Sequence, residues 1–188
     1  MLNLKFTGIS PFLMHSEAGL NRLNPLKREQ AVLTKKRTKT DEDHEEILRL
    51  DFELAIYHND ELGPYISGHM IEAGIRQAAK LSKLGTTIQR SVMVIEDKIR
   101  LEYSGPRDIK KLWKDTRFTD VRGCRVGAAK VMRCRPKFDE WAISFHLEFD
   151  AEAIDKDVLI GVCQTGGRSI GLGDYRPRFG RYEVEVLA

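Results

Sequence analysis

Cysteine is scarce in this chain of 188 residues: Cys124, Cys134 and Cys163 are odd in number, and no two of them form a CxxC pair. That argues against a disulfide framework and a cysteine-based zinc site, and three idle thiols are expected. No apolar run approaches the roughly 20 residues that cross a bilayer. The start, Met1-Leu2-Asn3-Leu4-Lys5-Phe6, lacks the basic and apolar stretches of a secretory signal. A cytoplasmic protein with no membrane partner is therefore expected. The Gly-Lys-Ser/Thr step of a phosphate-binding loop and the dinucleotide fingerprint are both missing, so nucleotide hydrolysis and hydride transfer lose support. No cofactor and no metal are expected.

What the chain does have is charge in blocks. With 41% hydrophobic and 31% charged residues it reads as one globular domain spanning residues 1–188, and its net charge of +3 is modest. The distribution is uneven. Between Asn21 and Thr40 stand Arg22, Lys27, Arg28, Lys35, Lys36, Arg37 and Lys39 against Glu29 alone, and an acidic run, Asp41 to Glu46, follows. A second block holds Arg125, Lys130, Arg133 and Arg135 without an acid. The third is the glycine-rich end, Gly166 to Arg181, where Gly167, Gly171 and Gly173 alternate with Arg168, Arg176, Arg178 and Arg181, opposed only by Asp174. Glycine lets backbone approach a ligand, and arginine adds forked donors, so such a loop can clasp phosphates. The bland alternative for this loop is a set of turns before a last strand, and for each basic block it is a solvated face. Three blocks converging would form the electrostatic footprint of nucleic acid.

Period-two alternation predicts strands at Leu2-Leu4-Phe6, Phe52-Leu54-Ile56, Ile99-Leu101-Tyr103, Trp141 to Phe149 and Tyr182-Val184-Val186. Alternation over Val126 to Cys134 predicts another, with Arg125, Arg133 and Arg135 on its opposite face and a hairpin turn at Pro136 to Glu140. Helices are expected from His69 to about Leu84, with Ser67 as N-cap, and from about Asp155 to Gln164, stopping at Gly166-Gly167. Weaker helical signals cover Asp41–Leu50 and Pro106–Lys114. The grammar is that of an α+β fold with a ferredoxin-like or modified RNA-recognition-motif antiparallel sheet, helices on one face and the other face open to ligand. Residues 15–50 do not fit the minimal core and are expected to form a basic, thumb-like insertion or arm.

Three motifs together resemble the repeat-associated mysterious protein (RAMP) superfamily. They are Ile9-Ser10-Pro11-Phe12-Leu13-Met14-His15 after the first strand, Tyr65-Ile66-Ser67-Gly68-His69-Met70-Ile71-Glu72-Ala73-Gly74-Ile75-Arg76 opening a helix, and the terminal glycine-rich loop. Ser67 stands where the family usually has proline, and Phe179 replaces one expected glycine. The resemblance is to a backbone subunit of a CRISPR effector complex. It implies non-catalytic binding of single-stranded guide RNA through its backbone, with copies of the chain and other effector subunits as partners in an antiviral ribonucleoprotein. Gly68, at a helix start, and Arg76 would hold one stretch of phosphate, and Arg168, Arg176 and Arg178 another. For Gly68 and Gly74 close helix packing is the equal alternative.

Some relatives in that superfamily cut RNA, and His15 is the alternative catalytic candidate, as a general acid/base with Lys27 or Arg22 steadying the phosphorane. The remaining histidines are explained as surface or strand positions, and Asp41 and Asp43 as the acidic first turn of a helix. A third alternative is a protein-interaction module, including a viral mimic of the backbone subunit.

Overall fold

The computed structural model describes the backbone of residues 1–188 and every side chain except that of Val126. In chain order its first half contains β1 (Leu2–Gly8), β2 (Phe12–Leu13), α1 (Pro25–Lys35), α2 (Asp41–Ala55), β3 (His58–Asn59), β4 (Gly63–Ser67), α3 (Gly68–Ala79) and α4 (Gly85–Ser91). The second half contains β5 (Val92–Val94), β6 (Lys98–Arg100), α5 (Ile109–Lys114), β7 (Thr119–Val126), β8 (Ala129–Phe138), β9 (Ala142–Phe149), α6 (Lys156–Thr165) and β10 (Tyr182–Leu187). Among the described residues these form an α+β protein with three small antiparallel sheets and six α-helices.

The principal sheet runs β10-β1-β9-β5. Alternation sends Leu2, Leu4 and Phe6 of β1 and Ile143, Phe145 and Leu147 of β9 to one face, with Leu4 opposite Phe145 and Phe6 opposite Ile143. That face joins Ile71, Ile75 and Ala78 of α3 and Leu159, Val162 and Cys163 of α6 in one apolar core. Phe6 stacks on Tyr182 with centroids 4.2 Å apart and meets Phe145 edge-on at 4.9 Å. Such aromatic pairs add about 0.5–1.5 kcal/mol each beyond the area they bury.

The other face presents Lys5, Ser144, His146, Glu148, Glu183 and Glu185, and Lys5 pairs with Glu102 at 3.6 Å. It carries acids and no exposed aromatic among those residues, so it offers phosphates repulsion rather than a stacking platform. The face expected to stay open to ligand is solvent-accessible, with acids prominent on it.

Residues 15–50 are helical and docked. Thr40 and Asp43 build a reciprocal capping box that launches α2. The helix ends with Leu50, Phe52, Leu54 and Ala55 buried against β8. The strand expected at Phe52-Leu54-Ile56 is therefore a helix end: burial on several sides makes a three-residue alternation compatible with either period. The other differences are smaller. The α3 helix stops at Ala79, with a 3-10 turn over Lys80–Ser82, and Ser67 holds the N-cap backbone position without a side-chain hydrogen bond. The α6 helix, capped by Asp155, does not stop at Gly166-Gly167 but widens into a π turn, Gly166–Ile170, because Gly166 keeps right-handed helical dihedrals of −54° and −51°.

Candidate nucleic-acid interface

The β7–β8 hairpin turns at Gly127-Ala128, not at Pro136–Glu140, and its register pairs Arg122 with Arg133, Asp120 with Arg135 and Arg125 with Lys130. Odd positions thus meet even ones. Cross-strand partners share a face, so Arg125 stands opposite Arg133 and Arg135 on the pleat, contrary to the expected single row. Its long side chain still borders the same cleft.

That cleft, of about 400 Å³, lies between the hairpin, α1, α2 and the segment after β2. Arg133 Nη1 donates to Asp51 Oδ1 at 2.8 Å, and Gln30 Nε2 donates to the same oxygen at 2.7 Å. Lys27 Nζ in turn donates to Gln30 Oε1 at 2.8 Å. A second cluster adjoins the first: Arg135 Nε stands 2.5 Å from Asp174 Oδ2, and His15 Nδ1 lies 3.6 Å from that oxygen. Gln30, Asp51 and Arg135 are buried, which an unpaired ion tolerates only at a cost of several kcal/mol. The pairs Asp51–Arg133 and Asp174–Arg135 are what admit these charges to the interior. Four buried side-chain atoms there lack a hydrogen-bond partner: Asp51 Oδ2, Arg135 Nη1, and Arg135 Nε and Asp174 Oδ2, which meet only as an ion pair.

Burial holds the His15 imidazole below its ordinary pKa of 6.5; Asp174 pulls it up, and Arg135 and Arg133 push it further down. His15 is therefore neutral near pH 7, with its ring half exposed at the cleft wall. A neutral imidazole beside a carboxylate and several cations can accept a proton, and the cations can neutralise phosphate oxygens.

The terminal loop reaches the same cleft but uses its glycines differently from the expectation of an open anion-binding nest. Leu172 N donates to Gly180 O at 2.8 Å, Gly180 N to Pro11 O at 2.8 Å, and Asp174 N to Leu13 O at 2.9 Å. Gly173 has φ +75°, and a Cβ there would run into the Leu13 carbonyl and the Phe12 ring. These are close-packing roles. Gly171 likewise donates its N–H to Gly166 O, and a Cβ on Gly167 would overlap the Tyr182 carbonyl. The loop is then clamped to the hairpin: the Arg122 guanidinium, paired with Asp120, lies 4.9 Å and 4.6 Å from the Tyr175 and Phe179 rings. Its arginines face outward, with Arg168, Arg176, Arg178 and Arg181 all exposed.

The expected site residues thus divide. Lys27, Arg125, Arg133 and Arg135 meet at the cleft with His15. Arg22, Arg28, Lys35 and Arg37 are exposed on the α1 side and do not line it, and Lys36 is tied to Asp43 at 2.6 Å. Gly68 is buried, with its N–H given to Asp97 O at 2.9 Å, and packs against the Glu96 carbonyl. Arg168 sits apart, beside Gln164 and Glu183. Arg176 reaches α3, donating to Gln77 Oε1 at 3.2 Å, while Arg178 points into solvent. Sequence reasoning missed Gln30 and Asp51; the one available signal was an acid inside the apolar run Leu50-Asp51-Phe52.

No protein-family model matches the chain, and none of the curated proteins matches it in sequence. Among the described residues no helix is long and apolar enough to cross a membrane, and no group of three or more His, Cys, Asp or Glu is placed to hold a metal ion.

Proposed function

We propose that this chain is a non-catalytic subunit of a RAMP-type, CRISPR-like ribonucleoprotein that binds single-stranded guide RNA and assembles along it with copies of itself. One observation carries the reading. Cations from α1 (Lys27) and from the hairpin (Arg125, Arg133, Arg135), far apart in sequence, line one cleft, and the terminal loop touches two of its lining residues, Arg135 and His15, through Asp174. We read the four-stranded sheet and its two helices as a ferredoxin-like core. The support is the chain order β1-α3-β5-β9-α6-β10 combined with the spatial order β10-β1-β9-β5, in which the two helices cover one face. In this reading α1 and α2 are the insertion, and they form one side of the groove.

The test is anisotropy with labelled single-stranded RNA of unrelated sequences across a salt series. Binding is expected to vary little with sequence and to weaken steeply with salt, about 0.7 logarithmic units per decade of salt for each phosphate contact. Lys27→Glu with Arg125→Glu is expected to reduce it strongly, because neither residue holds a buried acid. A parent protein that ignores RNA at low salt overturns the proposal.

A second reading has its own observation, the neutral His15 held 3.6 Å from Asp174 at the wall of a cationic cleft. In it the imidazole takes the 2′-hydroxyl proton, the resulting oxyanion attacks the adjacent phosphorus, and the 5′-oxygen leaves, yielding a 2′,3′-cyclic phosphate without a metal. Hairpin RNA incubated with EDTA decides it. Cleavage that His15→Ala abolishes establishes an endoribonuclease, whereas intact RNA removes this reading and leaves the binding reading standing.

A further inference from the structure

Beyond the cleft lies a second cationic surface of different construction. Arg76 of α3, Lys80 of its 3-10 extension and Lys83 just past that extension lie together, and α4 packs beside α3 with Thr86 and Gln89. Between the two is an open groove of about 510 Å³ whose lining contains no acid. None of Arg76, Lys80, Lys83 or Arg176 forms an ion pair among the described residues. No acid lies within ion-pair distance of them, although Glu72, one turn before Arg76, lines the adjoining pocket with it, and like charges on one helix face repel one another. A bound polyanion would relieve that repulsion.

The terminal loop touches both neighbourhoods. Asp174 contacts Arg135 at the cleft wall, and a short step along the chain Arg176 donates to Gln77 on α3, next to Arg76 in sequence. Lys80 lies one turn beyond Arg76, about 5–6 Å between Cβ atoms, a spacing on the scale of successive phosphates along a strand. No aromatic side chain lines the groove, so it has nothing on which to stack a base.

We propose that the α3–α4 groove is a second phosphate-binding surface, which takes the backbone of the RNA strand after it leaves the cleft past Arg176. The inference rests on the RNA-binding reading. Lys80 and Lys83 act as point charges on phosphates, Thr86 and Gln89 donate hydrogen bonds to phosphate oxygens or ribose hydroxyls, and the contact carries no sequence information.

The test compares a short oligouridylate that fills only the cleft with a longer one, each titrated across salt against the parent protein and Lys80→Gln with Lys83→Gln. A control variant removes two exposed lysines elsewhere, Lys110→Gln with Lys156→Gln. For the long RNA the groove variant is expected to lower the salt slope by about 0.7 per lysine and the low-salt affinity about tenfold. For the short RNA both are expected to stay unchanged. Equal slopes for parent and groove variant on long RNA, or an equal drop in the control, overturn the groove while leaving the cleft in place. A parent protein that binds neither RNA instead removes the underlying reading, and the groove's role with it. Circular dichroism of the variants separates a lost contact from a lost fold, and Arg176→Gln is expected to lower long-RNA affinity in the same direction.

Discussion

The two basic surfaces hold their cations in opposite states. In the cleft Arg133 and Arg135 are bound to Asp51 and Asp174 and partly withdrawn from water, so much of their charge is already answered. In the α3–α4 groove Lys80 and Lys83 are exposed and unanswered. A buried paired cation serves the fold first, because removing its partner strands a charge at low dielectric; an exposed unpaired one serves only what comes from outside. Counting lysines and arginines along a sequence cannot tell the two apart, although their responses to substitution should differ sharply.

The largest effect belongs to the cleft. Asp51→Ala leaves Arg133 and Gln30 without their shared acceptor and is expected to lower unfolding stability by about 3 kcal/mol, read from urea denaturation. Lys80→Ala with Lys83→Ala is expected to leave the urea midpoint where it was. Similar losses in both variants would erase the distinction between fold-holding and ligand-facing cations. Next in size, Arg176→Glu with Arg178→Glu is expected to reduce RNA affinity about tenfold or more with unchanged secondary structure, since both side chains are exposed and neither holds an acid. Loss of RNA binding together with loss of ellipticity would instead assign the loop a structural role only.

A third prediction turns paired cations into free ones. Asp174→Asn removes the carboxylate charge that answers Arg135 and sits by His15, while the backbone bond from residue 174 to Leu13 O is retained. RNA affinity is expected to rise about threefold, at some cost in stability because Arg135 is then left buried with only a neutral partner. An affinity that falls would mean that Asp174 orients the cleft for RNA rather than competing with it.

Much of the scaffold was legible because it follows short-range rules. Strands β1, β9 and β10 announce themselves by strict alternation over six or more residues, and α3 and α6 by apolar stripes. What was not legible depends on tertiary context. Phe52 and Leu54 alternate like strand residues only because the end of α2 is enclosed. The hairpin register, and with it the face on which Arg125 lies, is set by the two-residue turn at Gly127-Ala128, which alternation alone does not locate. In the terminal loop Gly171, Gly173 and Gly180 read correctly as positions of positive φ and Gly167 as one of close approach, yet what approaches is the protein's own backbone at Pro11, Leu13 and Tyr182. Asp51 gave one weak sign, an acid in an apolar run, but its partners lie 21 and 82 residues away.

The smallest expected effect is the pH dependence of the cleft, and it separates pairing from availability within one residue. His15 has its folded-state pKa held below 6.5 by burial, opposed by Asp174 and reinforced by Arg135 and Arg133. A depressed folded pKa means that the unfolded chain takes up the proton first. The stability owed to the neutral ring is complete above pH 6.5 and is lost as pH falls through the lower folded value. Because the side chain is 56% exposed, solvent screening keeps that loss small. RNA should act in the opposite sense: phosphates in the cleft favour the imidazolium, so affinity rises as pH falls through the same interval. The difference between the parent protein and His15→Gln, in urea midpoint and in RNA affinity from pH 7.5 to 5.5, isolates both terms. Opposite trends in the two readouts are expected; parallel trends, or none in affinity, would place the bound strand away from His15.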